Sequence, residues 1–409
     1  MKRILIIAFL TVFGVALVAQ TPPIVEEHFL KKNTTITELL ESYNESLDKA
    51  DNEEKLRATN QMLDDFKRLS ESDQKKYATF LGHLYYNQAC YLALTKQKKA
   101  AVEAFAMSIN NGYNNYQHAN TDSDLNSLRK DKTFISLMKQ LQEKSDFIYI
   151  LRTYGAYSSE PAPDTLPKFE YQKQEESRGL TLVKSYFKID TIVGDGNDLS
   201  KVLKLLHWVH NNIRHNGGNF ATCEFDAIDI YNYNKTTGKG VNCRHLAITL
   251  NEMLLSIGIP SRYVTCLPRD INDGDCHVIN SVWVESLGKW IWVDPTFDAY
   301  VKDENGNFLG IGEVRERLIK GDSLVLNADA NWNNEQLQTK EYYLDSYMAK
   351  NLFCLDVPLK SQFNTESQYG NNIRVDYVTL RPVGYEENYG GGKHEKYNTY
   401  NPDYFWQKP

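Results

Sequence analysis

The sequence has no excess of basic residues and only one long apolar run. Its 46 lysines and arginines are outnumbered by 53 aspartates and glutamates, so the formal net charge is −7. An acidic chain offers no positive surface for phosphate backbones, and binding to nucleic acid is therefore not expected. The composition is otherwise that of an ordinary globular protein, with 26 tyrosines as its main departure.

The one long apolar run, from Ile4 to Val18, follows two basic residues at the N-terminus. A positive start, an apolar stretch and small residues at its end are typical of a secretory signal peptide over residues 1–20. A membrane anchor is the alternative because the run approaches spanning length, but its extreme N-terminal position favours cleavage. We therefore expect an exported bacterial protein, periplasmic, at the cell surface or extracellular, with no stable membrane anchor after cleavage.

Cys243 lies between a glycine-containing turn and a segment of periodic apolar residues. The preceding residues, 236–240, favour a turn. Apolar residues then recur at i, i+3 and i+4 spacing up to Ile257, and Gly258 and Pro260 end the predicted helix. Cys243 is thus expected at a helix N-terminus, where free N–H groups and the helix dipole favour the thiolate. Taken alone, such a cysteine is more often a small core residue.

His277 and Asp294 lie on two predicted strands downstream of Cys243. One strand begins at His277, the other covers residues 289–296, and Gly288 suggests a hairpin turn between them. Pairing centred near residues 285–286 places His277 opposite approximately Asp294. In this arrangement the cysteine attacks, the histidine shuttles the proton and the aspartate orients the imidazole.

The region between residues 199 and 300 resembles the transglutaminase-like core, a branch of the papain-like cysteine enzymes. The matching segments are residues 206–209, 213–214, 238–244, 254–264, 277 with 283, and 292–296. The resemblance implies Cys243 as nucleophile, His277 as base and Asp294 as the residue that orients it. His245 departs from the family, which often has aspartate after Cys-Arg.

The donors of an oxyanion hole are less well defined by the sequence. The backbone N–H of Cys243 is one candidate, because the helix start leaves it free. The second donor should be an upstream side chain, and Trp208, Asn212, Asn232 and Asn242 are candidates that the sequence does not rank. Trp208 lies on a predicted helix over residues 199–213, where an indole is more often part of the core.

No metal or cofactor is predicted. His207 and His210 share a helix face and His215 is near, but no glutamate at zinc-protease spacing and no cysteine pair accompanies them, so solvated or helix-end histidines explain the pattern. Without the proposed nucleophile five cysteines remain, an odd number that argues against a full disulfide framework. One bridge could join Cys266 and Cys276, although cysteines in strands are often simply buried.

The predicted fold class is α+β, in which a nucleophile helix packs on an antiparallel sheet and an all-α helical-hairpin domain precedes this core. Ala89, Ala101 and Phe105 resemble the close-packing positions of a tetratricopeptide-type hairpin. This helical domain either recruits a partner or substrate, or caps the core. The predicted segments are a signal peptide (1–20), a helical domain (30–147), a linker and lead-in (148–198), the catalytic core (199–330) and a β-rich extension with a tyrosine-rich tail (331–409).

The resulting functional prediction is an exported cysteine enzyme of acyl transfer. Thiolate attack on a peptide or isopeptide amide gives a thioester, which passes to water or to an amine. The residues do not separate these outcomes, and the resemblance to bacterial relatives favours hydrolysis. The alternative is a non-catalytic transglutaminase-like binding module whose helical domain recruits a protein partner. The intact cysteine, histidine and aspartate argue against it.

Overall fold

The computed structural model of the protein describes residues 43, 44, 47, 50–367, 375–387 and 396–409. The predicted signal peptide lies outside these residues. The chain divides into two compact units, Met1–Ile150 and Leu151–Pro409. No helix within the described ranges combines the length and the apolar character that crossing a bilayer requires.

The described part of the first unit is helical, which confirms the predicted N-terminal helical region. Ala89, Ala101 and Phe105 are fully buried where two of its helices pack together, because small residues allow helix backbones to approach closely. The helices are α1 Asn52–Lys67, α2 Glu71–Lys76, α3 Ala78–Leu94, α4 Lys98–Asn110, α5 Tyr116–Thr121, a 3-10 helix Ser123–Leu128, α6 Lys132–Ser145 and α7 Phe147–Tyr154, which crosses the unit boundary.

The second unit combines helices with strands, so the predicted α+β class is confirmed. Its helices are α8 Arg178–Tyr186, α9 Ile189–Val193, α10 Asp198–Asn212, α11 Ala227–Thr237, α12 Cys243–Leu255, α13 Ile311–Lys320, α14 Lys340–Tyr342, a π-helix Tyr343–Met348, α15 Ala349–Asn351 and α16 Pro402–Phe405, with a 3-10 turn Gln174–Glu176. Its strands are β1 Glu170–Tyr171, β2 Ser261–Leu267, β3 His277–Val284, β4 Lys289–Val293, β5 Val301–Lys302, β6 Val325–Leu326, β7 Asn331–Trp332, β8 Gln336–Leu337, β9 Cys354–Pro358, β10 Lys360–Ser361, β11 Tyr377–Leu380 and β12 Lys396–Thr399.

A six-stranded sheet in the order β12-β11-β9-β2-β3-β4 forms the centre of this unit. Its pairs are antiparallel except β11 with β12. Helix α12 packs on β2 and β3, and all eight residues of β3 are buried. Three strands of this sheet come from residues 331–409. The segment that was expected to extend the core therefore contributes half of the strands of its central sheet.

The hairpin of β3 and β4 has a different register from the predicted one. Asn280 pairs with Val293, and continuing this register places Asp294 opposite Ile279, not opposite His277. The difference arises because the turn residues 285–288 centre the hairpin between residues 286 and 287, one residue later than predicted. Since residues two apart on a strand face the same side, and diagonal partners remain within reach of long side chains, the shift keeps His277 and Asp294 on one face.

Candidate active site

Cys243 is the first residue of α12, as the sequence predicted. The side-chain oxygen of Asn242 caps the helix by accepting the backbone N–H of His245 at 3.3 Å. Gly240 lies just before the helix and has φ = +74°. A Cβ on this residue would lie 2.9 Å from the carbonyl oxygen of Arg214. The chain can therefore turn into α12 at close approach only with glycine at this position. The helix dipole then favours negative charge on the Cys243 sulfur.

His277 and Asp294 form a buried hydrogen bond. The Nε2 of His277, at the start of β3, donates to Oδ2 of Asp294 at 2.7 Å, and both side chains are almost fully excluded from solvent. This contact uses one ring nitrogen and leaves Nδ1 of His277 for Cys243. The sequence predicted that the two side chains would meet, and they do so in spite of the altered register.

Asp294 is held by two further donors that the sequence did not reveal. Its Oδ2 also accepts the hydroxyl of Tyr343 at 2.6 Å, and its Oδ1 accepts the backbone N–H of Thr296 at 2.8 Å. The Tyr343 hydroxyl in turn accepts the indole N–H of Trp292 at 3.2 Å. Tyr343 begins the π-helix, a form of helix that is frequent at functional sites. The carboxylate is therefore fixed in orientation toward His277.

The electrostatics of the site favour a thiolate and an imidazolium. Burial raises the pKa of the Cys243 thiol, but hydrogen bonds with His215 and His277 outweigh burial and hold this pKa below its ordinary value. Burial lowers the pKa of His277, but the charge and hydrogen bond of Asp294, together with Cys243, raise it above its ordinary value. Because the two pKa values move in opposite directions, the site favours a proton on the ring and a nucleophilic thiolate.

His215, which lowers the pKa of the Cys243 thiol, is a residue of the site that the sequence analysis missed. It lies in a parallel β-bridge with Val241, in which Val241 N–H donates to the Arg214 carbonyl at 2.9 Å and Asn216 N–H donates to the Val241 carbonyl at 2.7 Å. These bonds fasten His215 to the residue two positions before Cys243. The sequence suggested a solvated or helix-end histidine, whereas His215 is buried. No local spacing indicates this placement.

The two neighbouring histidines have separate partners. His207 Nδ1 contacts Oδ2 of Asp298 at 2.8 Å. His210 contacts Oδ1 of Asn331 through Nε2 at 2.9 Å and the carbonyl of Pro295 through Nδ1 at 3.2 Å. Within the described ranges no group of three or more histidine, cysteine or acidic side chains could hold a metal ion.

The side chains considered as oxyanion donors have structural partners. Trp208 packs against aromatic rings of the core, and the oxygen of Asn242 caps α12. Asn212 donates to a backbone oxygen of its own helix at 2.8 Å, and Asn232 accepts the hydroxyl of Tyr186 at 2.7 Å. These contacts use the amide nitrogen of Asn212, the amide oxygens of Asn232 and Asn242, and the ring of Trp208.

All six cysteines are free thiols. Cys266 lies on β2 and Cys276 immediately precedes β3, and the bridge considered between them is not formed. Burial raises the pKa of the thiols of Cys90, Cys223, Cys266 and Cys276. The thiol of Cys243 is displaced in the opposite direction, which distinguishes it chemically from these four.

Comparison with known proteins identifies the core region. The sequence model of the transglutaminase-like superfamily matches residues 187–295, a span that contains Cys243, His277 and Asp294. No curated protein matches the chain. A solved structure, of a proposed cysteine protease from Cytophaga hutchinsonii, shares 22% sequence identity over 36% of this chain and 47% of that chain, with a TM-score of 0.23. The match therefore spans about half of that protein.

The family match supports a cysteine-based enzyme, and it agrees with the position of Cys243 at the start of α12. It covers the nucleophile helix and the hairpin of β3 and β4, and it ends just beyond Asp294. Residues 187–295 of this chain form a transglutaminase-like domain.

Proposed function

We propose that this protein is an exported cysteine enzyme that cleaves peptide or isopeptide amides by acyl transfer. In this proposal Cys243 is the nucleophile, His277 the general acid and base, and Asp294 the residue that orients the ring. The observation that supports it most directly is the buried 2.7 Å bond between His277 and Asp294. It commits Nε2 to the carboxylate and turns Nδ1 toward the sulfur, as proton transfer to and from a thiol requires.

The chemistry follows from these assignments in two steps. The sulfur of Cys243 bonds to the amide carbonyl carbon, and the π electron pair moves to the oxygen to give a tetrahedral oxyanion. As the C–N bond breaks, the imidazolium of His277 gives its proton to the leaving nitrogen, and a thioester remains. Water then attacks the thioester, His277 takes the proton from that water, and breaking of the C–S bond releases the acid and restores the thiolate.

An amine that replaces water in the second step would give transamidation instead. The triad is the same for both outcomes, and we favour hydrolysis because of the resemblance to bacterial relatives. A screen with peptide and cell-wall amides, analysed by mass spectrometry with and without an added primary amine, separates them. Free acid indicates hydrolysis, and a product heavier by the amine indicates transamidation.

The competing function is a binding module without catalysis. A buried histidine–carboxylate pair has a large desolvation cost, and a surface that only binds has no need of it beside a cysteine whose thiol pKa is lowered. The geometry therefore favours catalysis. The helical unit as a platform for a protein partner stays a prediction of the sequence.

The proposal is tested with iodoacetamide and the variant Cys243→Ala. We expect labelling of the mature protein at Cys243 ahead of the other five cysteines, and loss of turnover in Cys243→Ala. The matched control is Cys276→Ala, next to His277, which should keep both labelling and turnover because burial raises the pKa of its thiol. Uniform labelling of all six cysteines, together with full turnover in Cys243→Ala, would contradict the nucleophilic role of Cys243.

A further inference from the structure

His215 has a hydrogen-bond partner of the opposite kind from that of His277. The indole N–H of Trp332 donates to Nδ1 of His215 at 2.9 Å, and this bond is buried. Trp332 is fully buried and His215 is only 5% exposed. Because an indole can donate but not accept, Nδ1 has to be the acceptor of this bond. The proton of the neutral His215 ring is therefore on Nε2.

The backbone of His215 is fixed from two sides. On one side it forms the bridge to Val241 described above. On the other, Oδ1 of Asn333 accepts the His215 N–H at 2.8 Å, and the amide nitrogen of Asn333 donates to the His215 carbonyl at 3.1 Å. With Trp332 holding the ring, His215 cannot exchange its two nitrogens without breaking a buried hydrogen bond.

The two histidines beside Cys243 are thus prepared for different tasks. His277 faces a carboxylate, which favours the imidazolium and lets the ring give and take a proton. His215 faces a donor, so its Nε2–H can donate a hydrogen bond but has no free lone pair to accept a proton. Both rings lower the pKa of the Cys243 thiol. A fixed, uncharged N–H donor beside a nucleophile matches the requirement of an oxyanion hole.

We propose that the Nε2–H of His215 is the second donor of the oxyanion hole, together with the backbone N–H of Cys243. The inference rests on the acyl transfer proposed above. When the sulfur attacks, negative charge moves from sulfur to an oxygen bonded to the same carbon. Because Trp332 occupies Nδ1 and the bridge to Val241 holds His215 near the start of α12, Nε2–H is the donor left to meet that oxygen, and it replaces the upstream side chains that the sequence suggested.

Two reactions of the same thiolate test this role. Acylation of Cys243 by p-nitrophenyl acetate, in single turnover with excess enzyme, passes through a tetrahedral oxyanion. Alkylation by iodoacetamide is a direct displacement and forms no oxyanion. Both rates are measured on the high-pH plateau of each variant, where the thiolate is complete, and the background of Cys243→Ala is subtracted.

The variant His215→Leu should slow acylation by about 10²–10³-fold, the usual cost of one oxyanion donor, while alkylation changes by less than about three-fold. The variant His215→Gln provides an amide N–H near the position of Nε2 and cannot act as a base, so it should restore acylation to within about ten-fold of the unmodified protein. A parallel fall of both rates, or no fall in acylation, would overturn the proposal. So would a His215→Gln variant as slow as His215→Leu.

A third variant covers the case in which His215→Leu does not fold. Trp332→Phe removes the indole N–H and leaves the tautomer of His215 unconstrained, so acylation should fall while alkylation is kept. If both reactions of Trp332→Phe proceed at the rates of the unmodified protein, the assignment is overturned. If Cys243→Ala itself keeps both reactions, the proposed nucleophile is wrong, which is a different outcome from failure of His215.

Discussion

Replacing Asp294 by asparagine separates the charge of the orienting residue from its shape. His277 Nε2 and Asp294 Oδ2 are 2.7 Å apart in a buried pair. The carbonyl oxygen of an asparagine can still accept the Nε2–H, so the orientation of the ring is kept. The negative charge that stabilises the imidazolium is lost.

The size of the effect follows from the positions of three charges. Two unit charges about 4 Å apart attract by about 4 kcal/mol at an effective dielectric constant of about 20. The thiolate lies across the ring, at roughly twice that distance from the carboxylate, and is repelled by about half as much. On removal of the carboxylate, the pair of thiolate and imidazolium is therefore destabilised by about 2 kcal/mol relative to the neutral thiol and imidazole, which is equivalent to about 1.5 pH units.

The sign follows from where the proton resides. The carboxylate holds the proton on His277 and thereby raises the pKa of that ring. Without this charge the imidazolium loses about 4 kcal/mol of attraction, so the pKa of His277 falls by about 3 units, while the thiolate loses about 2 kcal/mol of repulsion, so the pKa of Cys243 falls by about 1.5 units. We therefore expect the alkaline limb of the pH profile of turnover, where the imidazolium is lost, to move down by about 2–3 pH units in Asp294→Asn, and the midpoint for alkylation by iodoacetamide to move down by about 1–2 units.

The matched comparison is Asp294→Ala, which loses the charge and the hydrogen bond together. Its alkaline limb should move down about as much, but its turnover should fall below that of Asp294→Asn because the ring is no longer oriented. An alkaline limb in Asp294→Asn that stays in place or moves up would refute the electrostatic role assigned to this carboxylate.

Two further changes test how the surroundings hold the site. Tyr343→Phe removes the hydroxyl between Asp294 and Trp292, so urea denaturation should show a loss of about 2–3 kcal/mol in the free energy of unfolding, with reduced turnover; unchanged stability would contradict this. Gly240→Ala should lose more stability than the control Gly238→Ala, by about 1–2 kcal/mol, because both have positive φ but only the first would place its Cβ against backbone. Equal losses in the two variants would mean that close approach before α12 is unimportant.

Local patterns predicted the parts of the site that depend on one segment at a time. The turn before Cys243, the helix after it and the hairpin that bears His277 all follow from periodicity and from glycine or proline positions nearby. The register of that hairpin was predicted two residues away from the observed one, because a single glycine does not set the centre of the turn. The error left His277 and Asp294 on the same face, since strand side chains alternate.

Contacts between distant segments were beyond these patterns. Tyr343 is 49 residues from Asp294, and Trp332 is 117 residues from His215. Each is one of many aromatic residues, and its hydroxyl or indole acquires a role only when folding brings it to a buried polar atom. His215 itself looked like a solvated or helix-end histidine, because burial is a property of the whole fold.

By itself the sequence determined which residues are proposed to carry the chemistry: a cysteine at a helix start, and a histidine and an aspartate on one face of a hairpin. It also determined the match of residues 187–295 to the transglutaminase-like superfamily. Only the tertiary structure decided how each side chain is protonated and held. The amino-acid sequence specifies the identity of a reactive group, whereas the proton affinity of that group depends on partners such as Asp294 beside His277 and Trp332 beside His215. These partners come from distant segments, and burial strengthens their effect by removing water.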